Sequence, residues 1–233
     1  LLLTAPCALG AEPTVWSGEG VPPPEPVKSK VTLGVYIFPG WYRDAGRGDY
    51  PYRTHDEDSE WRAVAKCPKP RPLLGFYDDS LPEVNDWHIK GALEHGISFF
   101  AFDWYWNAGE HRLLRTLERG FLKAQTCDRM KFCIHWCNHG LDWKGKPWSS
   151  PEPEYFRTAA LVEMAEYCAD RYFKRPNYLT IEGRPLFMVW DSKRLIAANG
   201  GPEGFRKALE EMNKALRARG LRDLYLVSMG ESP

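Results

Sequence analysis

Asp103 ends an apolar run, Ile97–Phe102, and is followed directly by Trp104, Tyr105 and Trp106. Phe99 to Phe102 leave no side to wet, as in a strand buried on both faces. The acid and three aromatics then fall where a parallel strand meets its following loop, the end at which α/β proteins bind ligands. This combination suits a saccharide, because the C–H face of a sugar stacks on an arene while its hydroxyls seek acceptors. Similar groups close the other apolar runs. Tyr36 lies in the first, with Trp41 and Tyr42 beyond it; Trp136, Asn138 and His139 end the third, and Asp191 the fourth. The candidate substrate contacts are therefore Tyr36, Trp41, Tyr42, Asp103, Trp104, Trp106, Trp136, Asn138, His139 and Asp191. Asp103 and Glu231 are weak candidates for a catalytic acid.

Each has a plainer alternative. Asp103 can cap a loop or pair with an arginine, and Asp191 can bind backbone N–H groups at the start of a loop. Asn138 and His139 suit a turn, and one or two of the tryptophans suit the core. Glu110 is placed to favour a helix N-terminus, and His88 and His95 read as structural.

The stretch KFCIHWCNH sets Cys133, His135, Cys137 and His139 on one face of an extended strand. Same-face neighbours on a straight strand sit ~7 Å apart, too far to close a tetrahedron of ~2.0–2.3 Å bonds. No metal and no cofactor are expected. Six cysteines in 233 residues do not make a disulfide scaffold. One bridge could form in an exported chain, between partners the sequence does not choose.

Charge is balanced, 31 basic against 31 acidic residues, so nucleic acid and anionic membranes are not expected partners. No segment approaches the ~20 apolar residues of a membrane span. Of the ten tryptophans, eight (Trp41, Trp61, Trp104, Trp106, Trp136, Trp143, Trp148, Trp190) fall near strand ends or in loops, which a carbohydrate site explains better than a core does. The opening LLLTAPCALGA resembles the tail of a secretory signal with Ala8-Leu9-Gly10 as its cleavage site. The chain is accordingly expected to be secreted or periplasmic. Lipid anchoring at Cys7 fits less well because Pro6 precedes it.

Residues 1–11 thus read as a signal remnant, 12–30 as a Pro-rich linker, and 31–233 as the folded part. Strands are expected over 31–42, 97–104, 130–137, 183–191 and 224–230. Helices are expected from a Ser80–Glu83 capping box to a stop at Gly96, then over 110–124, 154–173 and 202–219. Strict β-α alternation predicts a parallel sheet with right-handed crossovers. Either an open doubly wound sheet or the first five strands of a (β/α)8 TIM barrel would fit. The first strand-to-helix turn has no glycine-rich phosphate cradle, and polar and aromatic clusters end the first four strands. Both favour the barrel, truncated after about the fifth strand.

In order, P-G-W, L-G-x-Y-D, P-E-V-x-D-W-x-I-K, F-x-F-D-W-Y-W and K-F-C-x-x-W-x-N resemble the glycoside hydrolase family 99-like, or WbsX-like, domain over residues 31–230. The resemblance implies a (β/α)8 barrel that cleaves internal α-mannosidic bonds by retaining, substrate-assisted chemistry, without the usual pair of flanking carboxyls. It also implies catalytic acids in a W-N-E-W-x-E-like stretch that this sequence lacks, so they are expected beyond Pro233. Cys137 and His139 stand where W-A-N-E would have an alanine and an acid. The expectation is an oligo- or polysaccharide-directed hydrolase in the full-length protein, with the present chain inactive alone. A glycosyltransferase of surface-polysaccharide assembly and a non-catalytic carbohydrate-binding barrel are the alternatives.

Overall fold

A computed structural model describes residues 20–41, 61, 72–107, 110–138 and 156–229. Tyr42, His139, Trp143, Trp148, Glu231 and the expected signal remnant lie outside the described residues. Five strands form the main sheet: β1 (Gly34–Ile37), β2 (Phe99–Asn107), β4 (Lys131–Trp136), β6 (Arg184–Val189) and β7 (Tyr225–Ser228). Every pairing among these five is parallel, and the strands lie side by side in chain order. The order does not reverse, as it would in a doubly wound sheet. Five parallel strands are fewer than the eight of a closed barrel, and β1 and β7 do not pair with each other among the described residues.

The sheet nevertheless curls. Flat, it would hold β1 and β7 about 19 Å apart, four strand spacings. Instead the Tyr36 hydroxyl, on β1, donates to Sδ of Met229, just past β7, at 2.9 Å. Both side chains rise from the same face, so that face is concave.

Helices cover the convex face. They are α1 (Pro82–Glu94), α2 (Thr158–Cys168), α3 (Ser192–Ala198) and α4 (Pro202–Ala218). Pro82 opens α1, where its missing N–H costs nothing, and Gly96, at φ 78°, ends it. The expected capping box does not form. Leu81 is the N-cap, and Ser80 instead donates its N–H and hydroxyl to Asp78 Oδ1. Alternate residues of the central strands (Phe100, Phe102, Phe132, Ile134, Phe187) meet Leu117, Phe121, Leu161, Met164 and Tyr172 in one core.

The helix expected over 110–124 is corrected. Glu110–Arg112 form a short strand, β3, folded back antiparallel on Tyr105–Asn107. Leu113, at φ 55°, turns the chain into a π turn over Thr116–Gly120 and a 3-10 turn over Phe121–Lys123. The apolar stripe of Leu114, Leu117 and Phe121 still reaches the core, so burial is kept while the backbone winding changes. The helix expected over 154–173 is α2 continued by a π turn at Ala169–Phe173. Strand β5 (Thr180–Ile181), antiparallel to β6, and helix α3 fall where the sequence reading had loops. Within residues 20–30, Val27 N–H donates to the Leu93 carbonyl at 3.0 Å, on the last turn of α1.

Candidate functional site

Side chains alternate across the sheet, and the parallel register aligns Asp103 with His135 and His135 with Met188. Tyr36 pairs with Ala101. The concave face therefore carries Tyr36, Asp103, Tyr105, Cys133, His135, Met188 and Trp190. The polar members gather at the carboxyl ends of the strands, as ligand sites in parallel sheets do.

Asp103 is the hub. Its Oδ1 accepts from His135 Nδ1 at 2.7 Å. A ring nitrogen this close to a carboxylate carries the proton, which fixes the tautomer. The Cys137 sulfur lies 3.8 Å from His135 Nδ1, and its thiol donates to the His135 carbonyl at 3.7 Å. Carboxylate, imidazole and thiol thus gather in one cluster, their donor atoms within 4.8 Å of one another. Burial first, and then the Asp103 charge, hold the Cys137 thiol far above its usual range, so it is neutral. The phenol of Tyr105 is raised for the same first reason. Burial also pushes Cys133, two residues before His135 on the same face, up to about 12.

His135 is buried, whereas the Asp103 side chain is 17 % exposed. The carboxylate therefore meets solvent and the imidazole supports it from behind. Two aromatic rings flank the imidazole, Tyr36 at 5.0 Å and Trp190 at 5.8 Å between centroids. Both stay open to solvent, at 48 % and 50 % exposure. A solvent-reaching acceptor on an imidazole that two accessible arenes flank is an arrangement that can hold a sugar ring.

Three expected stacking platforms are corrected. Trp104, Trp106 and Trp136 are buried on the opposite, convex face. Trp104 and Trp106 stack on each other, and Trp136 packs on Phe156. The reason is strand parity: residues next to Asp103 and His135 in sequence must point away from them. Asn138 is buried too, and its side chain is used up in the fold. It accepts from Asp191 N–H at 2.7 Å and donates to the Asp191 carbonyl at 2.8 Å. Asp191 in turn caps α3, its Oδ1 accepting from Arg194 N–H at 2.9 Å. Trp41 stands apart, half-buried against Trp61 at 4.5 Å, its N–H held by Asp79. Tyr42, His139 and Glu231 lie outside the described residues.

The sequence reading missed His135, Cys137 and Tyr105 as members of one polar centre with Asp103. Parity from Asp103 would have found Tyr105; the pairing of the second and third parallel strands was needed for the other two. Trp190 was noted only as a strand-end tryptophan, yet it is the exposed one beside the centre.

A solved structure described as a glycoside hydrolase-like protein superposes with a TM-score of 0.54 at 17 % identity, covering 93 % of this chain and 56 % of its own. That likeness is one of fold. A GH99 endo-alpha-mannosidase from Bacteroides thetaiotaomicron, in complex with BIS-TRIS-propane, is similar at a TM-score of 0.42 and 20 % identity, over 69 % of this chain and 42 % of that one. Among curated proteins, uncharacterized protein WxcX of Xanthomonas campestris pv. campestris is 28 % identical over 152 residues, 57 % of this chain. The chain spans about a fifth, 20 %, of the length of that relative. No helix among the described residues is long and apolar enough to cross a membrane. The model of a glycan-processing family, Glycosyltransferase WbsX, matches residues 61–232, most of the chain, and the chain belongs to that family.

Proposed function

We propose that this chain carries the sugar-binding face of a glycoside hydrolase acting on α-linked, mannose-type glycans. One observation carries the reading: the exposed rings of Tyr36 and Trp190 flank His135, which holds the solvent-reaching carboxylate of Asp103. A carboxylate accepting from one imidazole keeps its remaining lone pairs for sugar hydroxyls. The rings supply apolar faces for the C–H side of the sugar. Hydrolysis usually needs two carboxyl groups on either side of the bond, ~5–9.5 Å apart. Here Asp103 faces the cleft while Asp191 is committed to its cap. We therefore take the catalytic acids of the whole protein to lie outside the described residues, and this chain is expected to bind without turnover. The curl of the sheet supports closure into a (β/α)8 barrel in that larger protein. Export to the periplasm or beyond, read from the opening residues, belongs to the same proposal.

The family description favours one second reading, a glycosyltransferase. The two differ in what they consume, a glycan with water or an activated sugar donor.

The test is binding of α-linked manno-oligosaccharides by titration calorimetry, with a nucleotide-sugar titration beside it. Asp103→Asn and Trp190→Ala are each expected to weaken oligosaccharide binding at least tenfold, about 1.4 kcal/mol. Trp136→Phe, in the core, is expected to leave the affinity of the folded protein unchanged. Unaltered affinity in both cleft variants would sink the site. Selective binding of the nucleotide sugar would favour the transferase.

A further inference from the structure

We propose that Asp103, His135 and Cys137 form a binding site for one zinc-class divalent cation. A donor atom from each of the three lies within 4.8 Å of the other two. Imidazole Nδ1 is 2.7 Å from carboxylate Oδ1 and 3.8 Å from thiol Sγ. A tetrahedral ion with bonds of ~2.0–2.3 Å spaces its ligands by about 3.3–3.8 Å. The thiol–imidazole edge already has that length. The imidazole–carboxylate edge needs to open by roughly half an ångström, since it now holds a proton where the ion would sit.

The sequence argument against a metal assumed donors along one straight strand. Two features of the fold remove that assumption. Asp103 comes from β2, in register with His135 on β4. Cys137 stands one residue beyond the end of β4 at Trp136, and its sulfur turns back to lie 3.7 Å from the His135 carbonyl. The donors thus converge instead of fanning out.

Thiolate, imidazole and carboxylate together suit zinc or cobalt(II), whereas magnesium and calcium take oxygen donors. Three protein ligands leave a fourth position open. It lies on the accessible side of the site, since Asp103 is the exposed member of the three. On binding, the Cys137 thiol proton passes to solvent and the imidazole proton moves from Nδ1 to Nε2. The inference stands on the donor geometry and is independent of the saccharide reading.

The experiment uses reduced, tag-free protein and cobalt(II) as the probe. A folded site of this kind gives a thiolate-to-cobalt charge-transfer band that saturates at one ion per chain and is bleached by added zinc. Cys137→Ser is expected to abolish the band, while Cys133→Ser, on the same strand and face, keeps it. Loss of even an outer-shell partner weakens metal sites about 10–100-fold, so Asp103→Asn is expected to lose at least tenfold in cobalt affinity. Should Cys137→Ser fail to fold, this Asp103 variant carries the test alone. No band in excess cobalt, from protein whose circular dichroism is native, overturns the proposal. So does a band that survives unchanged in Cys137→Ser, or an affinity unchanged in Asp103→Asn.

Discussion

Asp79 shows how one buried acid can position part of a cleft. It is almost fully buried, and its Oδ2 accepts from Gly40 N–H at 3.1 Å and Trp41 N–H at 3.0 Å. It thereby ties the turn after β1 to the start of α1. Burial pushes its carboxyl up to about 6, outweighing the lowering effect of the backbone bonds. The consequence for stability has a definite sign. In the unfolded chain the group loses its proton near 4, so from there to about 6 the folded protein holds a proton that the unfolded one has released. Stability from this group is fully present below pH 4 and is lost as pH rises through 6. Asp79→Asn keeps an oxygen for the two N–H donors and removes the titration. The melting temperature of the variant relative to wild type should therefore rise between pH 4 and pH 7, by the equivalent of about 2 kcal/mol. Thermal unfolding followed by circular dichroism across that range checks it, and a pH-independent difference would refute the assignment.

At the scale of elements, strand parity decides what each residue can do. Two consecutive positions on β2, Asp103 and Trp104, go to the cleft and to the core, although both read as site residues in the sequence. The same parity makes Gly34 necessary. Its missing side chain leaves the concave side of β1 to the ring of Phe99, the residue opposite it in register. A Cβ there would fall inside the van der Waals envelope of that ring. Gly34→Ala is expected to destabilise the fold by about 1–3 kcal/mol, as overpacking does. Urea unfolding measures it, and Phe99→Ala in the same background should recover part of the loss. A neutral Gly34→Ala would mean that the Phe99 ring moves freely. The helical stretches show the limit of pattern reading. The stripe of Leu114, Leu117 and Phe121 was legible, but the hairpin before it was not, because three residues are too few to show a period.

At the scale of the molecule, the parallel strands run in chain order and curl until Tyr36 meets Met229. Among the described residues β1 and β7 each pair on one side only. Such edges present free backbone donors and acceptors to other chains. The chain is therefore expected to associate in a concentration-dependent way. Light scattering over a dilution series should show it, and Val35→Pro, at the β1 edge, should reduce it. A monodisperse monomer at all concentrations would contradict the edge argument. A closed barrel would remove both edges, which ties this prediction to the proposed whole protein.

The alternation of β and α segments, the run ending in Asp103 and the ordered motifs that resemble the WbsX-like group were all legible in the sequence, because each is local or nearly so. Periodicity and burial preference act over a few residues, and five of the expected strands appear where that pattern puts them. Only the tertiary structure could decide which side chains share a face. Asp103 and His135 are 32 residues apart and meet because β2 and β4 pair in one register. A shift of one residue would have sent the imidazole to the core and brought Trp136 beside the carboxylate. That register is set by the burial of Phe102, Ile134 and Phe187 against the helices, a property of the whole core that no single stretch of sequence contains.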